Sequence, residues 1–187
     1  MKRIGPDLGD FGFKWSRGVI ADNGIIYCIP AHSDKVLKID TVVGDNHGNV
    51  STIEIPLVIT DVSNEFDLTK WYSGALSKID GCIYCMPSCR ARKASEYHLV
   101  ILKIDPYNDC IDCISIGHNL GNEEFKFSGT VADENGIIYG IPHHSKRIML
   151  FDPREPQSMS MVGKEADENF DWHRMETSIR QTLVEIS

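Results

Sequence analysis

Short apolar stretches alternate with turn residues along most of this chain. Val19-Ile20 gives way to Asp22-Asn23-Gly24, then to Ile25-Ile26-Tyr27-Cys28-Ile29, and that run stops at Pro30. The same succession returns at Ala75-Leu76, Asp80-Gly81, Cys82-Ile83-Tyr84-Cys85-Met86 and Pro87. It returns again at Val131-Ala132, Asn135-Gly136, Ile137-Ile138-Tyr139-Gly140-Ile141 and Pro142. A lysine and an aromatic open each copy, so that Trp15, Trp71 and Phe127 stand 56 residues apart. A fixed period of this size is the mark of a repeat architecture.

The residue types predict strands. β-Branched and aromatic side chains flank Asn23-Gly24, Asp80-Gly81 and Asn135-Gly136, and this pairing predicts tight hairpins with positive φ at both central residues, a type I′ turn. Each proline lacks a backbone donor and predicts the end of a strand ladder. A third apolar segment ending in an acid follows in every copy: Val36-Leu37-Lys38-Ile39-Asp40, Val100-Ile101-Leu102-Lys103-Ile104-Asp105 and Ile148-Met149-Leu150-Phe151-Asp152. A fourth is visible in Val50-Ser51-Thr52-Ile53-Glu54-Ile55 and in Cys110-Ile111-Asp112-Cys113-Ile114-Ser115-Ile116. Four short strands per unit is the pattern of a propeller blade. The expected fold is therefore all-β and propeller-like, with about three four-stranded blades.

The unit from Asn23-Gly24-Ile25-Ile26-Tyr27 to Val36-Leu37-Lys38-Ile39-Asp40 resembles blades of the NHL and senescence-marker/gluconolactonase kind of six-bladed propeller. The resemblance implies that the strand after Trp15 is innermost and lines a central channel. It places the Asn-Gly hairpins on one face, and the approach to Trp15 with the loop after Pro30 on the other. Propellers have about 4–8 blades, so three do not close a ring. Either the chain is a fragment of a longer propeller, or two chains close one ring, or the C-terminal segment substitutes for missing blades. Residues 1–166 form the repeat domain, with repeats near 14–69, 70–125 and 126–166, and 167–187 form a tail. In the tail Trp172, Met175, Ile179, Leu183 and Ile186 step by three and four, which predicts a short C-terminal helix; a degraded fourth blade is the alternative.

Charge narrows the function. Nineteen basic and twenty-seven acidic side chains give a net charge of −8. An acidic chain without a basic tract is poorly suited to nucleic-acid backbones or anionic membranes. No apolar run nears the roughly 20 residues of a spanning helix. The first residues, Met1-Lys2-Arg3, have no apolar stretch behind them, so a signal peptide is not expected and the cytoplasm is the expected location.

Cys82-Ile83-Tyr84-Cys85 and Cys110-Ile111-Asp112-Cys113 have zinc-ligand spacing. Both pairs fall inside strands, however, where residues three apart point to opposite faces and cannot share one ion. Buried thiols acting as small hydrophobes are the expectation. The second residue after each proline is His32, Cys89 or His144, and His143 adjoins the last. These four are the candidate metal ligands, because imidazole and thiolate both bind metals. No cofactor is expected beyond a divalent ion under that reading. Trp15, Trp71 and Phe127 recur and so serve the repeat, as wedges between blades. Arg17 and Tyr72 do not recur, which makes them better candidates for binding. The expected working face carries Arg17, His32, Tyr72, Arg90 and His144. No phosphate-cradling loop, nucleophile elbow or His-Glu-x-x-His pair is present. The expected role is a binding or scaffold module for a protein or small molecule. A metal-dependent hydrolase or lactonase of propeller type is one alternative. An inactive truncated repeat protein is the other. A second copy that closes the ring is a further expected partner.

Overall fold

A computed structural model describes residues 5–10, 12–41, 49–56, 70–88, 100–115 and 126–162. Twelve strands and no helix occur among them. Cys89, Arg90 and the whole of the tail with its expected helix lie outside the described residues.

The strands form three antiparallel sheets of four, each built from one sequence repeat. The first holds β1 (Trp15–Ile20), β2 (Ile25–Pro30), β3 (Lys35–Asp40) and β4 (Asn49–Glu54) in that order. The second holds β5 (Trp71–Leu76), β6 (Ile83–Pro87), β7 (Val100–Asp105) and β8 (Cys110–Ser115). The third holds β9 (Phe127–Ala132), β10 (Ile138–Pro142), β11 (Ile148–Phe151) and β12 (Ser160–Val162). β1 touches β5 and β5 touches β9, so the first strands of successive sheets are neighbours.

The period-2 alternation of each strand builds two apolar layers, one on either side of the second sheet. Tyr27, Ile29 and Val36 of the first sheet pack on Trp71, Ile83, Cys85, Leu102 and Ile104 of the second. On its opposite side the second sheet presents Cys82, Tyr84, Met86 and Ile101 to Phe127, Ile138, Met149 and Phe151 of the third. Cys82 and Cys85 thus face different neighbours. Burial pushes the Cys82 thiol up to about 12 and raises that of Cys85 as well. They act as the small hydrophobes expected of them. Cys110 departs from that expectation: it is exposed, at the start of a strand beside the Asn108-Asp109 turn.

The hairpins differ from the expected type. Gly24, Gly81 and Gly136 have φ of 78°, 68° and 75°, but Asn23, Asp80 and Asn135 do not have positive φ. A type I′ turn is therefore excluded. In the first and third hairpins, Gly24 N–H donates to Ala21 C=O and Gly136 N–H to Asp133 C=O, a three-residue step closed by a left-handed glycine. The second is one residue longer, with Gly81 N–H donating to Ser77 C=O. The reason lies in the side chains. Asn23 and Asp80 each accept from the backbone N–H two residues on, at 3.0 and 3.1 Å, which holds them in an Asx turn.

A tyrosine then locks each hairpin. The Tyr84 hydroxyl donates to the Asp80 carboxylate at 2.7 Å, and Tyr139 donates to Asp133 at 3.2 Å. In the first sheet Asn23 donates to the Tyr27 hydroxyl instead, and both reach the Pro106 carbonyl of the next sheet. Partial burial alone would raise the Asp80 carboxyl. Hydrogen bonds from Tyr84, the Cys82 N–H and Ser77 outweigh it and hold the group below its ordinary 3.8. A lowered carboxylate contributes stability that is complete above its unfolded value and lost as pH falls through the folded one. Stability is therefore expected to fall as pH drops below about 4, and Asp80→Asn to make that fall shallower. Asp105 and Asp152 are also held low and add to the slope. Urea midpoints between pH 2 and 5 measure it; parallel curves for the two proteins would remove Asp80 from the acid response.

Candidate functional site

Each proline ends its strand at a shared joint. Opposite it the first strand carries a register shift, between Trp15 and Gly18, Trp71 and Gly74, or Phe127 and Gly129. Beyond the joint the backbone forms a relay that crosses all three sheets. Ala31 N–H donates to Lys14 C=O at 2.9 Å, Lys70 N–H to Ala31 C=O at 3.0 Å, and Ser88 N–H to Lys70 C=O at 2.9 Å. Lys126 N–H then donates to Ser88 C=O at 3.2 Å, and His143 N–H to Lys126 C=O at 2.8 Å. This relay ties the lysine before each first strand to the residue after each strand-ending proline, Ala31, Ser88 or His143, on one end of the sheets. The Ser16 hydroxyl, donating to Tyr72 C=O at 2.6 Å, and the Ser73–Thr130 hydroxyl pair at 3.1 Å tie the first strands together below it.

On that end, at the junction of the first two sheets, four side chains meet. Phe13 stacks edge-on against His32, with ring centroids 5.2 Å apart, and lies 6.4 Å from the Tyr72 ring. The Arg17 guanidinium sits over the same tyrosine at 5.5 Å, a cation–π contact. Arg17 is exposed, and Tyr72 and His32 are half-buried. Phe13 is 48% exposed and has a φ of 53°. A bulky side chain in the left-handed region costs of order 1–3 kcal/mol and persists only where the surroundings enforce it. Here His32 N–H donates to Phe13 C=O, and Lys70 Nζ to His32 C=O at 3.4 Å. The strained backbone turns an aromatic ring toward solvent, a placement that core packing does not require.

Three of the expected site residues, Arg17, His32 and Tyr72, are therefore brought together. His144 belongs to the third sheet. Its ring lies against that of His143, with centroids 4.5 Å apart, and both are exposed beside Lys146 and Arg147. Cys89 and Arg90 lie outside the described residues. Among the described residues no three His, Cys, Asp or Glu side chains stand where they could hold one metal ion. Phe13 was missed by sequence reasoning. Its signal was a phenylalanine directly before the repeat lysine at both 13 and 125. Trp71 and Phe127 are wedges as expected, each 1% exposed, with the Trp71 indole N–H donating to Val100 C=O at 3.0 Å.

Four-stranded antiparallel sheets set side by side, with their first strands adjacent and their faces packed on one another, define a β-propeller architecture. Solved structures agree. Virginiamycin B lyase from Staphylococcus aureus matches 83% of this chain with 43% of its own, at a TM-score of 0.55 and 12% identity. A catalytically inactive histidine-to-alanine form of that lyase with quinupristin matches at the same TM-score and identity. A streptogramin B lyase matches 79% of this chain with 39% of its own, at a TM-score of 0.51 and 10% identity. At such identity the likeness shows the fold. The chain spans less than half the length of these neighbours. No family model matches the sequence, and no curated protein does.

Proposed function

We propose that this chain is a binding module of β-propeller type, working through the Phe13, Arg17, His32 and Tyr72 cluster. The observation that carries the reading is the exposed Phe13 ring, held by a left-handed backbone against His32 and Tyr72. Tyrosine, tryptophan and arginine are enriched among the few residues that dominate the affinity of protein interfaces. A planar ring can lie on Phe13 or Tyr72, and a carboxylate on the same ligand can reach Arg17. The chain is acidic as a whole, so this cationic and aromatic spot selects an anion locally rather than by long-range attraction. The hydrolase and lactonase reading draws support from the blade resemblance but from no gathered set of ligands.

Binding of benzoate and indole-3-acetate, followed by amide chemical shifts, tests the proposal. Quinupristin, the molecule held by the lyase neighbour, is a third probe. Saturable shifts at residues 13–17, 32 and 72 are expected for the aromatic acids. Phe13→Ala and Arg17→Ala should each weaken them about tenfold, the effect of roughly 1.4 kcal/mol. Unchanged affinity in both variants would remove the cluster from function.

A further inference from the structure

The outer face of the first sheet is half of an inter-sheet interface. Register equivalence makes this plain. Trp15 corresponds to Trp71, Ile26 to Ile83, Cys28 to Cys85, Leu37 to Leu102, and Ile39 to Ile104. All five residues of the second set are buried, at 0–1% exposure, under the first sheet. Of their counterparts, Trp15, Ile26, Cys28 and Ile39 are only half-buried, whereas Leu37 at the centre is 6% exposed. Trp15 keeps the same indole bond, donating to Lys35 C=O at 2.8 Å, yet lines a cavity of about 300 Å³ with Pro6, Leu8 and Val50.

What fills the corresponding space over Trp71 is the set Tyr27, Ile29 and Val36. The outer side of the third sheet carries the same kinds of residue at the same register: Tyr139 and Ile148, both half-buried, and Ile141, 2% exposed. One face is thus built to receive, and the other has the shape class that is received twice within the chain. We infer that the third sheet of a second copy docks on the first sheet of this one. A head-to-tail contact of this kind closes when the rotation is right, and two copies would then complete a six-bladed ring through two identical joints.

A directed disulfide tests the geometry as well as the mass. Inside the chain, Ile29 Cδ1 and Cys85 Sγ lie 3.1 and 2.8 Å from the point where a Gly74 Cβ would sit. The equivalent pair across the proposed joint is Ile141 of one copy and Cys28 of the other. Ile141→Cys under mild oxidation is expected to give a covalent dimer, with Cys28 joined to the introduced thiol at 141 in peptide mapping. Ile29→Cys, expected to join Cys85 within one chain, is the control for geometry. Light scattering of the unmodified chain should give twice the 21.0 kDa mass. Ile26→Lys, on the half-open face, should return it to the monomer with an unchanged circular dichroism spectrum. A monomer at about 100 µM would overturn the inference. A ladder of higher masses would overturn the closed ring, and a dimer cross-linked only through Cys110 would overturn the joint.

Discussion

Trp71→Ala is expected to remove about 3–5 kcal/mol of stability, the loss typical of a large aromatic deleted from a packed interior. The indole is 1% exposed, lies among Ile29, Val36, Ile83 and Leu102, and has its N–H satisfied by Val100 C=O. Nothing nearby is free to collapse into the gap, because the residues around it belong to two different sheets held in register by the amide relay. Trp15→Ala offers the internal comparison. It deletes the same side chain at the same repeat position, with the same kind of indole bond, from a face only half-buried. Its cost in dilute solution is expected to be roughly 1–2 kcal/mol, on the scale of partial burial. Urea titrations of both variants measure the difference. Equal losses would mean that the tryptophan serves its own sheet rather than the joint between sheets.

Phe151→Ala should cost a similar 3–5 kcal/mol but distribute it differently. Phe151 is fully buried and meets the Tyr84 ring at 5.3 Å across the second joint. In a repeat protein stability is approximately a sum of unit and nearest-neighbour contributions. The loss should therefore loosen the third sheet and leave the first joint standing. Hydrogen exchange is expected to accelerate at the amides of β9, β10 and β11, with β1 to β3 little changed. Uniform acceleration throughout would show that the three sheets unfold as one unit.

These two positions also mark what the sequence could say. Trp71 recurs as Trp15 and Phe127, and recurrence at a fixed period pointed to a wedge. The strand ends at Pro30, Pro87 and Pro142 were legible because proline lacks a donor. The opposed faces of Cys82 and Cys85 followed from alternation alone. The hairpin type was not legible. Asn-Gly serves both I′ turns and type I turns closed by a left-handed glycine, and here the second form is accompanied by side-chain bonds from Asn23, Asp80 or Asp133 and by a tyrosine four to six residues further on. The candidate site was legible only in part. Arg17, His32 and Tyr72 stood out by failing to recur or by their chemistry. Phe13 did not, because its role depends on a backbone twist imposed by His32 from a different strand end. His144 shares a repeat position with His32, yet the third sheet gives it a different neighbour, His143.

The amide relay from Lys14 to His143 has a direction. In each of its five bonds the donor comes later in the sequence than the acceptor. A chain leaving the ribosome N-terminus first would present Lys14 C=O before Ala31 arrives, and Ala31 C=O before Lys70. The second and third sheets are thus each offered a docking point by the one already laid down, as courses of brick are set on the course beneath. An error at the first course is inherited by all that follow, whereas an error at the last is inherited by none. Conformational information in this molecule would then travel the way translation does.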